Sequence, residues 1–283
     1  QTDLVLRAGF YRSIVRPTPF QQAPHFAVEE ADDGERSGEF GNPALRPTEA
    51  WNFDAAVEYY MSSTGALHAS VFYKSLDNFI VDVNTDVAGS FRGIAFDEAT
   101  IARNGDEADI FGIELGFSQA FTGTLDGFVV QANYTYIDSQ GLPNTFLNGG
   151  EAVDPSTVPP GNLPLEQLSK HNYNIAGFYE KGPISLRAAY NWRSRFLLTA
   201  SDVIYPYYSI FNEPTGQLDA SVFFNLSDAL KIPGGIRVGV QGVNLLNEVT
   251  KTSQAYTGDP DVLAARSYFM NDRRFSFIIR GNF

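Results

Sequence analysis

Apolar and polar residues alternate one by one in about ten separate segments of the chain. Because the side chains of a β-strand point alternately to two faces, this period of two predicts strands with one apolar and one polar face. The clearest apolar face belongs to segment 51–61 and consists of Trp51, Phe53, Ala55, Val57, Tyr59 and Met61. The other predicted strands are 3–14, 66–77, 111–118, 125–138, 171–181, 184–193, 218–227, 235–246 and 268–283.

The length of these strands separates them from those of a soluble sandwich. Their apolar faces imply strands of about ten residues or more, whereas strands of soluble proteins have about five or six. An oblique crossing of a lipid bilayer needs roughly nine to eleven residues. The mean hydropathy of -0.17 agrees with such a crossing, because only alternate residues would face lipid. The opposite face, with Glu58, Glu114 and Arg187, suits a wet interior.

Short and long connections alternate along the chain. Short turns are predicted at 62–65, 122–124, 181–183 and 227–235, and long connections of about 20 to 35 residues lie between them. This order predicts an all-β protein, an antiparallel transmembrane β-barrel with short periplasmic turns and long extracellular loops. The final strand ends on Phe283, which would lie in the aromatic girdle at the edge of the lipid.

Composition excludes several classes of function. The net charge of -13 argues against a nucleic-acid partner, since binding phosphates needs the opposite sign. With no Cys, disulfides and thiolate metal sites are excluded, and His25, His68 and His171 stand in unrelated segments. Neither a metal site, a cofactor nor an enzyme is predicted. The N-terminal residues lack the features of a signal peptide, so the chain is expected to be mature or a fragment of something longer.

Acidic residues collect in the first two long connections. They are Glu29, Glu30, Asp32, Asp33 and Glu35, followed by Asp97, Glu98, Asp106, Glu107 and Asp109. Clustered carboxylates suit divalent cations that would bridge to lipopolysaccharide, or they form a solvated surface kept soluble by its charge. We favour the solvated surface.

The fourth long connection supplies the candidate ligand-binding residues. Tyr205, Tyr207 and Tyr208 offer rings that stack on sugars or aromatic ligands. An interfacial belt or packing against neighbouring loops would use the same rings, and this is the favoured interpretation. Arg193 and Arg195 would face an anionic ligand or pair with carboxylates of the barrel interior. Pairing is the favoured interpretation of the two arginines.

Four stretches of sequence resemble one family. They are LRAGFYRSIVRPTPF at 6–20, GNPALRPTEAWNFDAAVEYY at 41–60, VQGVNLLNE at 240–248 and FSFIIRGNF at 275–283. The most specific elements are Asn42, Pro43, Leu45 and Pro47 before a strand, and the Asn-Leu-Leu-Asn stretch at 244–247. The chain thereby resembles TonB-dependent receptors, the active transporters of Gram-negative outer membranes.

The resemblance implies a barrel of 22 strands, of which residues 1–283 supply about the last ten. An N-terminal plug domain and the earlier strands would be absent from this chain. It further implies uptake of an iron-siderophore, cobalamin, haem or carbohydrate, and recognition of Phe275, Phe277, Ile279 and Phe283 by the barrel-assembly machinery. The implied partners are TonB, ExbB and ExbD through the missing plug, outer-membrane lipid and lipopolysaccharide, the small-molecule nutrient and, as a further candidate, a surface lipoprotein.

Two alternatives stay open from the residues themselves. A ten-stranded barrel can close by itself and act as a passive porin or small structural barrel, in which case the first and last strands would pair directly. A barrel enzyme would instead need a nucleophile or a pair of carboxylates that converge at a loop rim.

Overall fold

The computed structural model describes residues 3–281 except 33, 86–87, 106, 144–161, 201–208, 232–234 and 256–261. Besides strands it contains helices α1 (Pro19–Gln22) and α2 (Leu226–Leu230) and a 3-10 turn at Gly123–Leu125. Within the described ranges, no helix has the length and apolar character needed to cross a membrane. Strands are numbered in chain order below.

Ten strands form one antiparallel sheet in which each strand pairs with the next of the set. Eight of the ten are 10 to 15 residues long, as the alternation predicts for strands that cross a bilayer. They are β1 (Asp3–Val15), β4 (Thr48–Ser62), β5 (Gly65–Asp77), β10 (Glu107–Ala120), β11 (Phe128–Gln140), β14 (His171–Lys181), β15 (Ile184–Arg193), β18 (Thr215–Asn225), β19 (Arg237–Val243) and β22 (Arg274–Arg280).

The remaining strands belong to the long connections, all of which leave the same edge of the sheet. They are β2 (Phe26–Glu30), β3 (Arg36–Phe40), β6 (Ile80–Thr85), β7 (Gly89–Phe91), β8 (Ile94–Phe96), β9 (Glu98–Asn104), β12 (Leu142–Pro143), β13 (Asn162–Leu163), β16 (Phe196–Thr199), β17 (Ile210–Asn212), β20 (Val249–Ala255) and β21 (Leu263–Met270). We call this edge the long-loop edge and the opposite one the short-turn edge.

The strand register collects the apolar residues on one face of the ten-stranded sheet. Phe10 lies opposite Phe53, which lies opposite Tyr73, and Tyr73 lies opposite Phe111. This apolar face is open to the surroundings, with Leu6 72% and Phe277 71% exposed. An apolar surface that extends over ten strands is not stable in water, so it requires lipid.

The exposure of the apolar face excludes a soluble sandwich with a shared dry centre. Such a sandwich would bury Trp51 and Phe53, which are 45% and 49% exposed. The opposite, polar face carries Arg7 and Glu58 as an ion pair of 3.2 Å, and Ser70 donates to Glu114 at 3.1 Å. One face is therefore suited to lipid and the other to water.

Two of the differences between predicted and observed strand boundaries are explained by side-chain hydrogen bonds. The segment predicted as one strand, 268–283, is divided between β21 and β22, because the Asn271 carbonyl accepts a hydrogen bond from the Asn244 side chain. The strand predicted over 218–227 ends at Asn225, whose side chain caps α2 by accepting from the Asp228 amide. The short connection after β18 therefore contains a helical turn.

The long connections contain sheets of their own, which the sequence does not predict. Two four-stranded sheets have the orders β2-β3-β9-β6 and β16-β17-β20-β21. The pair β3–β9 is parallel, whereas the ten-stranded sheet is antiparallel throughout. A buried cluster lies among the connections and consists of Phe79, Ala108, Leu163, Leu197, Ala200, Phe211 and Ala255. The dry core thus lies mainly at the long-loop edge.

The two outermost strands of the ten-stranded sheet each have one partner in the described residues. β1 pairs with β4, and β22 pairs with β19. The direct pairing of first and last strands, which a self-contained barrel requires, is not seen there. The sheet is therefore open at both sides.

Candidate ligand-binding site

The first family-like motif ties two long connections together at the long-loop edge. The Asn42 side chain accepts from the Ala44 amide at 3.0 Å and donates to the Ala102 carbonyl at 2.9 Å. Leu45, two residues after Pro43, is buried. The Asn104 carboxamide bonds both the amide and the carbonyl of Arg46, at 2.8 and 2.9 Å. The motif thus fixes the first connection against the second.

The second family-like motif ends β19 and holds the last long connection. Asn244 is buried and has a positive φ of 54°, a left-handed conformation that Asn tolerates better than most residues. Its side chain accepts from the Glu248 amide at 2.8 Å and donates to the Glu248 carbonyl at 3.1 Å. Its backbone amide donates to Asp219 at 2.9 Å. The hydrogen bonds of Asn244 therefore hold the last long connection against the end of β19.

Arg193, a predicted ligand-binding residue, lies at the long-loop edge at the end of β15. Its Nε donates to the Ser169 hydroxyl at 2.8 Å, and its Nη2 donates to the Gln167 carbonyl at 3.1 Å. The guanidinium carbon lies 3.7 Å from the centre of the Phe196 ring, a cation–π arrangement. The guanidinium thus binds the segment before β14 to the end of β15.

Arg195 pairs with a carboxylate, which is the interpretation that the sequence favours. Its Nε and Nη2 each lie 3.1 Å from the Glu213 carboxylate. The Ser253 hydroxyl also donates to Glu213, so this carboxylate connects three loop segments. Tyr205, Tyr207 and Tyr208 lie outside the described residues, and their ligand-binding role stays a prediction.

We expect Arg193→Lys to raise the amide exchange rate of residues 167–170 by roughly tenfold. Lysine keeps the charge, but it lacks the planar fork that reaches Ser169 and Gln167 together and stacks on Phe196. A loss of about 1 to 2 kcal/mol in local opening free energy follows from the two hydrogen bonds. Hydrogen–deuterium exchange with mass spectrometry measures the exchange rate of these amides. Arg187→Lys is the matched control, since Arg187 stacks on Phe178 at 5.4 Å; equal exchange in both variants would contradict this expectation.

A recess of about 450 Å³ lies on the polar face between β11 and β18. Most of its lining residues carry amide or hydroxyl side chains, and the predicted residue Arg193 is among the others. The lining side chains on this face are Asn133, Thr135, Asn172, Asn174, Asn191, Arg193, Thr215 and Gln217. The amides carry no motif that marks them in the sequence, although Asn is uncommon in strands and four of them lie within β11, β14 and β15.

A second cavity of about 360 Å³ lies at the base of the loops, beside Arg195 and Phe196. It contains Lys170, whose ammonium lies 3.2 Å from the Asp138 carboxylate. The hydrogen bond to Asp138 raises the pKa of Lys170 above its ordinary value. The cations at this cavity are therefore already paired within the protein.

Two larger recesses, of about 520 and 550 Å³, are formed chiefly by side chains of the apolar face. Leu67, Leu115 and Ile175 line the first, and Leu6 and Val71 line the second. Because this face requires lipid, these recesses are not suited to a ligand that arrives from water. The polar recess is the better candidate.

The acidic residues of the first two connections are partly engaged by neighbouring groups. Asp97 accepts from the Arg36 amide at 2.9 Å, Glu30 pairs with Arg36 at 2.9 Å, and Asp109 accepts from Tyr73 at 2.6 Å. Among the described residues, no three His, Asp or Glu side chains are placed to hold a metal ion. Asp33 and Asp106 lie outside them.

The residues expected to signal barrel assembly lie on β22. Phe275, Phe277 and Ile279 all belong to the apolar face and are 66%, 71% and 66% exposed. Phe283 lies outside the described residues. Their recognition by the assembly machinery stays a prediction.

Comparisons with known proteins place this geometry in context. Residues 1–245 match the family model described as TonB dependent receptor-like, beta-barrel. A search among curated proteins found no match by sequence.

Several solved structures share the fold at low identity. A mutant ferric enterobactin receptor from Pseudomonas aeruginosa, in complex with enterobactin, is 16% identical with a TM-score of 0.62, and the match covers 99% of this chain and 38% of that chain. A siderophore receptor from Acinetobacter baumannii is 14% identical with a TM-score of 0.57, and the match covers 99% of this chain and 39% of that chain. A copper transporter is 14% identical with a TM-score of 0.60, and the match covers 99% of this chain and 37% of that chain.

The chain thus spans less than two fifths of the length of these three structures. The family match covers most of the chain, and the ten-stranded antiparallel sheet agrees with the β-barrel that the family description names. The chain belongs to the TonB-dependent receptor family and forms part of its β-barrel.

Proposed function

We propose that the protein is an outer-membrane receptor for TonB-dependent uptake of a scarce nutrient. This chain forms part of the barrel wall and the loops that capture the ligand. The observation that carries the proposal is the ten-stranded sheet itself, with an exposed apolar face, a polar face and folded connections at one edge. The family's barrels lie in bacterial outer membranes, which gives the apolar face its lipid.

The open sides of the sheet support a larger barrel. The outer edges of β1 and β22 present backbone N–H and C=O groups, which cost several kcal/mol each in hydrocarbon when unpaired. Further strands would pair these edges, in agreement with a 22-stranded wall of which this chain is about the last ten strands. A plug domain in the interior would gate the barrel and connect it to TonB, ExbB and ExbD.

The nutrient belongs to the classes that such receptors take up, namely iron-siderophores, cobalamin, haem and carbohydrates. The structural neighbours include a ferric enterobactin receptor and a copper transporter, but identities of 14–16% show only a common fold. We propose that Arg193, Arg195, Tyr205, Tyr207 and Tyr208 contribute to ligand capture, because they belong to the long-loop edge or its connections.

An uptake experiment with the intact gene tests this function. A deletion strain of the host and the complemented strain are each supplied with one compound at a time. Ferric siderophores or haemin serve as the sole source of iron, cobalamin as the sole source of that vitamin, and oligosaccharides as the sole source of carbon. We expect complementation to restore uptake of one class, and a protonophore or the loss of TonB to abolish it. Uptake that persists in cells without an energised inner membrane would replace this function with that of a passive porin.

A further inference from the structure

Four neighbouring strands carry a row of carboxamide side chains across the polar face. The register places Asn133 opposite Asn174, Asn174 opposite Asn191, and Asn191 opposite Gln217. Neighbouring strands are about 4.8 Å apart, so the row extends over roughly 14 Å. We call these four side chains the amide row; all of them line the recess of about 450 Å³.

The next row toward the long-loop edge adds hydroxyls and one cation. Thr135 lies opposite Asn172, which lies opposite Arg193, and Arg193 lies opposite Thr215. The Arg193 guanidinium is already bound to Ser169 and Gln167 and stacked on Phe196. No carboxylate, Lys or His contributes to the described lining.

Much of the hydrogen-bonding capacity of the recess is directed at nothing else in the described residues. Asn133, Thr135 and Thr215 have no side-chain hydrogen bond there, while the Asn174 amide donates to the Asn191 carbonyl oxygen. Gln217 donates to the Asp219 carboxylate at 2.9 Å, which leaves the Gln217 carbonyl oxygen as an acceptor. The recess therefore offers both donors and acceptors, and the one charged group in its described lining is the Arg193 guanidinium, which already donates to Ser169 and Gln167.

This chemistry distinguishes between ligand classes. A multiply charged ligand that leaves water needs several opposite charges to offset its desolvation, whereas the described lining supplies one guanidinium that is already bound to Ser169 and Gln167. A ligand rich in hydroxyl groups needs mixed donors and acceptors at close spacing, which carboxamides and hydroxyls provide. The volume lies within the usual range of about 300 to 1,000 Å³ for small-molecule sites.

We propose that the amide row and its flanking threonines bind an uncharged, hydroxyl-rich ligand of the neutral-oligosaccharide class. This inference rests on the proposed uptake function and names its substrate class. The ligand would lie across β11, β14, β15 and β18, with its hydroxyls exchanging hydrogen bonds with the amide row.

Binding to the purified intact receptor tests the inference. The probes are an array of neutral oligosaccharides and, as a charged comparator, ferric enterobactin. We expect retention of a neutral oligosaccharide with an affinity that changes little between about 0.05 and 0.5 M salt, because an uncharged ligand has no Coulomb attraction to screen. Asn133→Leu and Asn191→Leu should each weaken binding about fivefold, and the double variant about 25-fold.

Two further variants supply a control and a conservative test of the recess. Gln241→Leu is the matched control, because Gln241 is exposed on the polar face of β19, outside the recess, and its loss should leave binding unchanged. Thr135→Val removes one hydroxyl without changing the shape of the side chain, so it reports on the recess even if a leucine variant fails to fold. It should weaken binding about fivefold.

Two outcomes would overturn the inference. One is retention of ferric enterobactin but of no neutral oligosaccharide. The other is oligosaccharide binding that the recess variants leave unchanged, with or without the faster proteolysis that a loosened plug would cause. Each of these leaves energy-dependent uptake standing. Uptake that ignores the inner-membrane gradient would overturn the proposed function instead.

Discussion

Replacing Ala55 with Arg should lower the free energy of unfolding by about 2–4 kcal/mol, whereas Ala56→Arg should cost less than about 1 kcal/mol. The two alanines are adjacent at the middle of β4, and the strand alternation places them on opposite faces. Ala55 lies opposite Ala8 and Val71 on the apolar face, where a guanidinium would enter the middle of the bilayer.

The control substitution places the same charge in water. Ala56 lies opposite Arg7, and the wet interior screens the like-charge contact. Denaturant unfolding of the receptor in lipid vesicles measures both free energies, and the amount of folded receptor in outer membranes provides a second readout. Equal losses for the two variants would show that the apolar face does not contact lipid.

Asn244→Ala should be the most damaging substitution at the long-loop edge, with a loss of about 3 kcal/mol. The buried side chain forms hydrogen bonds with both the amide and the carbonyl of Glu248. Each of these backbone groups that is left unpaired lowers the free energy of unfolding by about 1–3 kcal/mol. Alanine also fits the left-handed conformation (φ 54°) less well than asparagine, whose short polar side chain stabilises that conformation through local hydrogen bonds.

Two companions separate these contributions. Asn244→Gly removes the hydrogen bonds but relieves the backbone, so it should lose somewhat less than the alanine variant. Asn247→Ala changes a residue with nearly the same φ, 56°, whose exposed side chain accepts, within the described part of the chain, only the Arg273 amide at 3.3 Å, so about 1 kcal/mol is expected. Thermal unfolding of the purified receptor provides the comparison; similar losses at 244 and 247 would show that the hydrogen bonds of Asn244 do not hold the connection.

The sequence was sufficient to predict the ten-stranded sheet because the pattern in each strand is local. Leu115 lies on the apolar face and its neighbour Glu114 on the polar face, so the residues of each strand show by their alternation which face is apolar and which is polar. The errors fall at strand ends. Asn225 and Asn244 stop β18 and β19 through side-chain hydrogen bonds that a period of two does not record.

The folded connections could not be predicted in the same way. Their sheets pair segments far apart in sequence, such as Ser37 with Glu98, and short strands of two to eight residues carry little alternation. The asparagines at 42 and 244 were recognised as family-like signatures, but their side-chain bonds to distant backbone groups depend on the tertiary fold.

The candidate site was predictable only in part. Pairing of Arg195 with a carboxylate followed from general chemistry, whereas its partner Glu213 lies in another loop segment. The amide row depends on the register of four strands, because Asn133, Asn174 and Asn191 become neighbours only once the sheet is assembled. A mid-strand carboxamide was the available signal, since strands seldom contain one.

In the proposed receptor the long-loop edge faces outward from the cell, and the dry cluster around Leu197 and Phe211 then has a consequence for the recognition of that surface by antibodies. Because these connections pack on one another, an antibody or bacteriophage reaching the cell would meet a contoured surface built from segments far apart in sequence. Epitopes on it are discontinuous. Short synthetic peptides copied from single connections would lack that shape. An immunogen for this receptor therefore has to present the folded connections of the long-loop edge together.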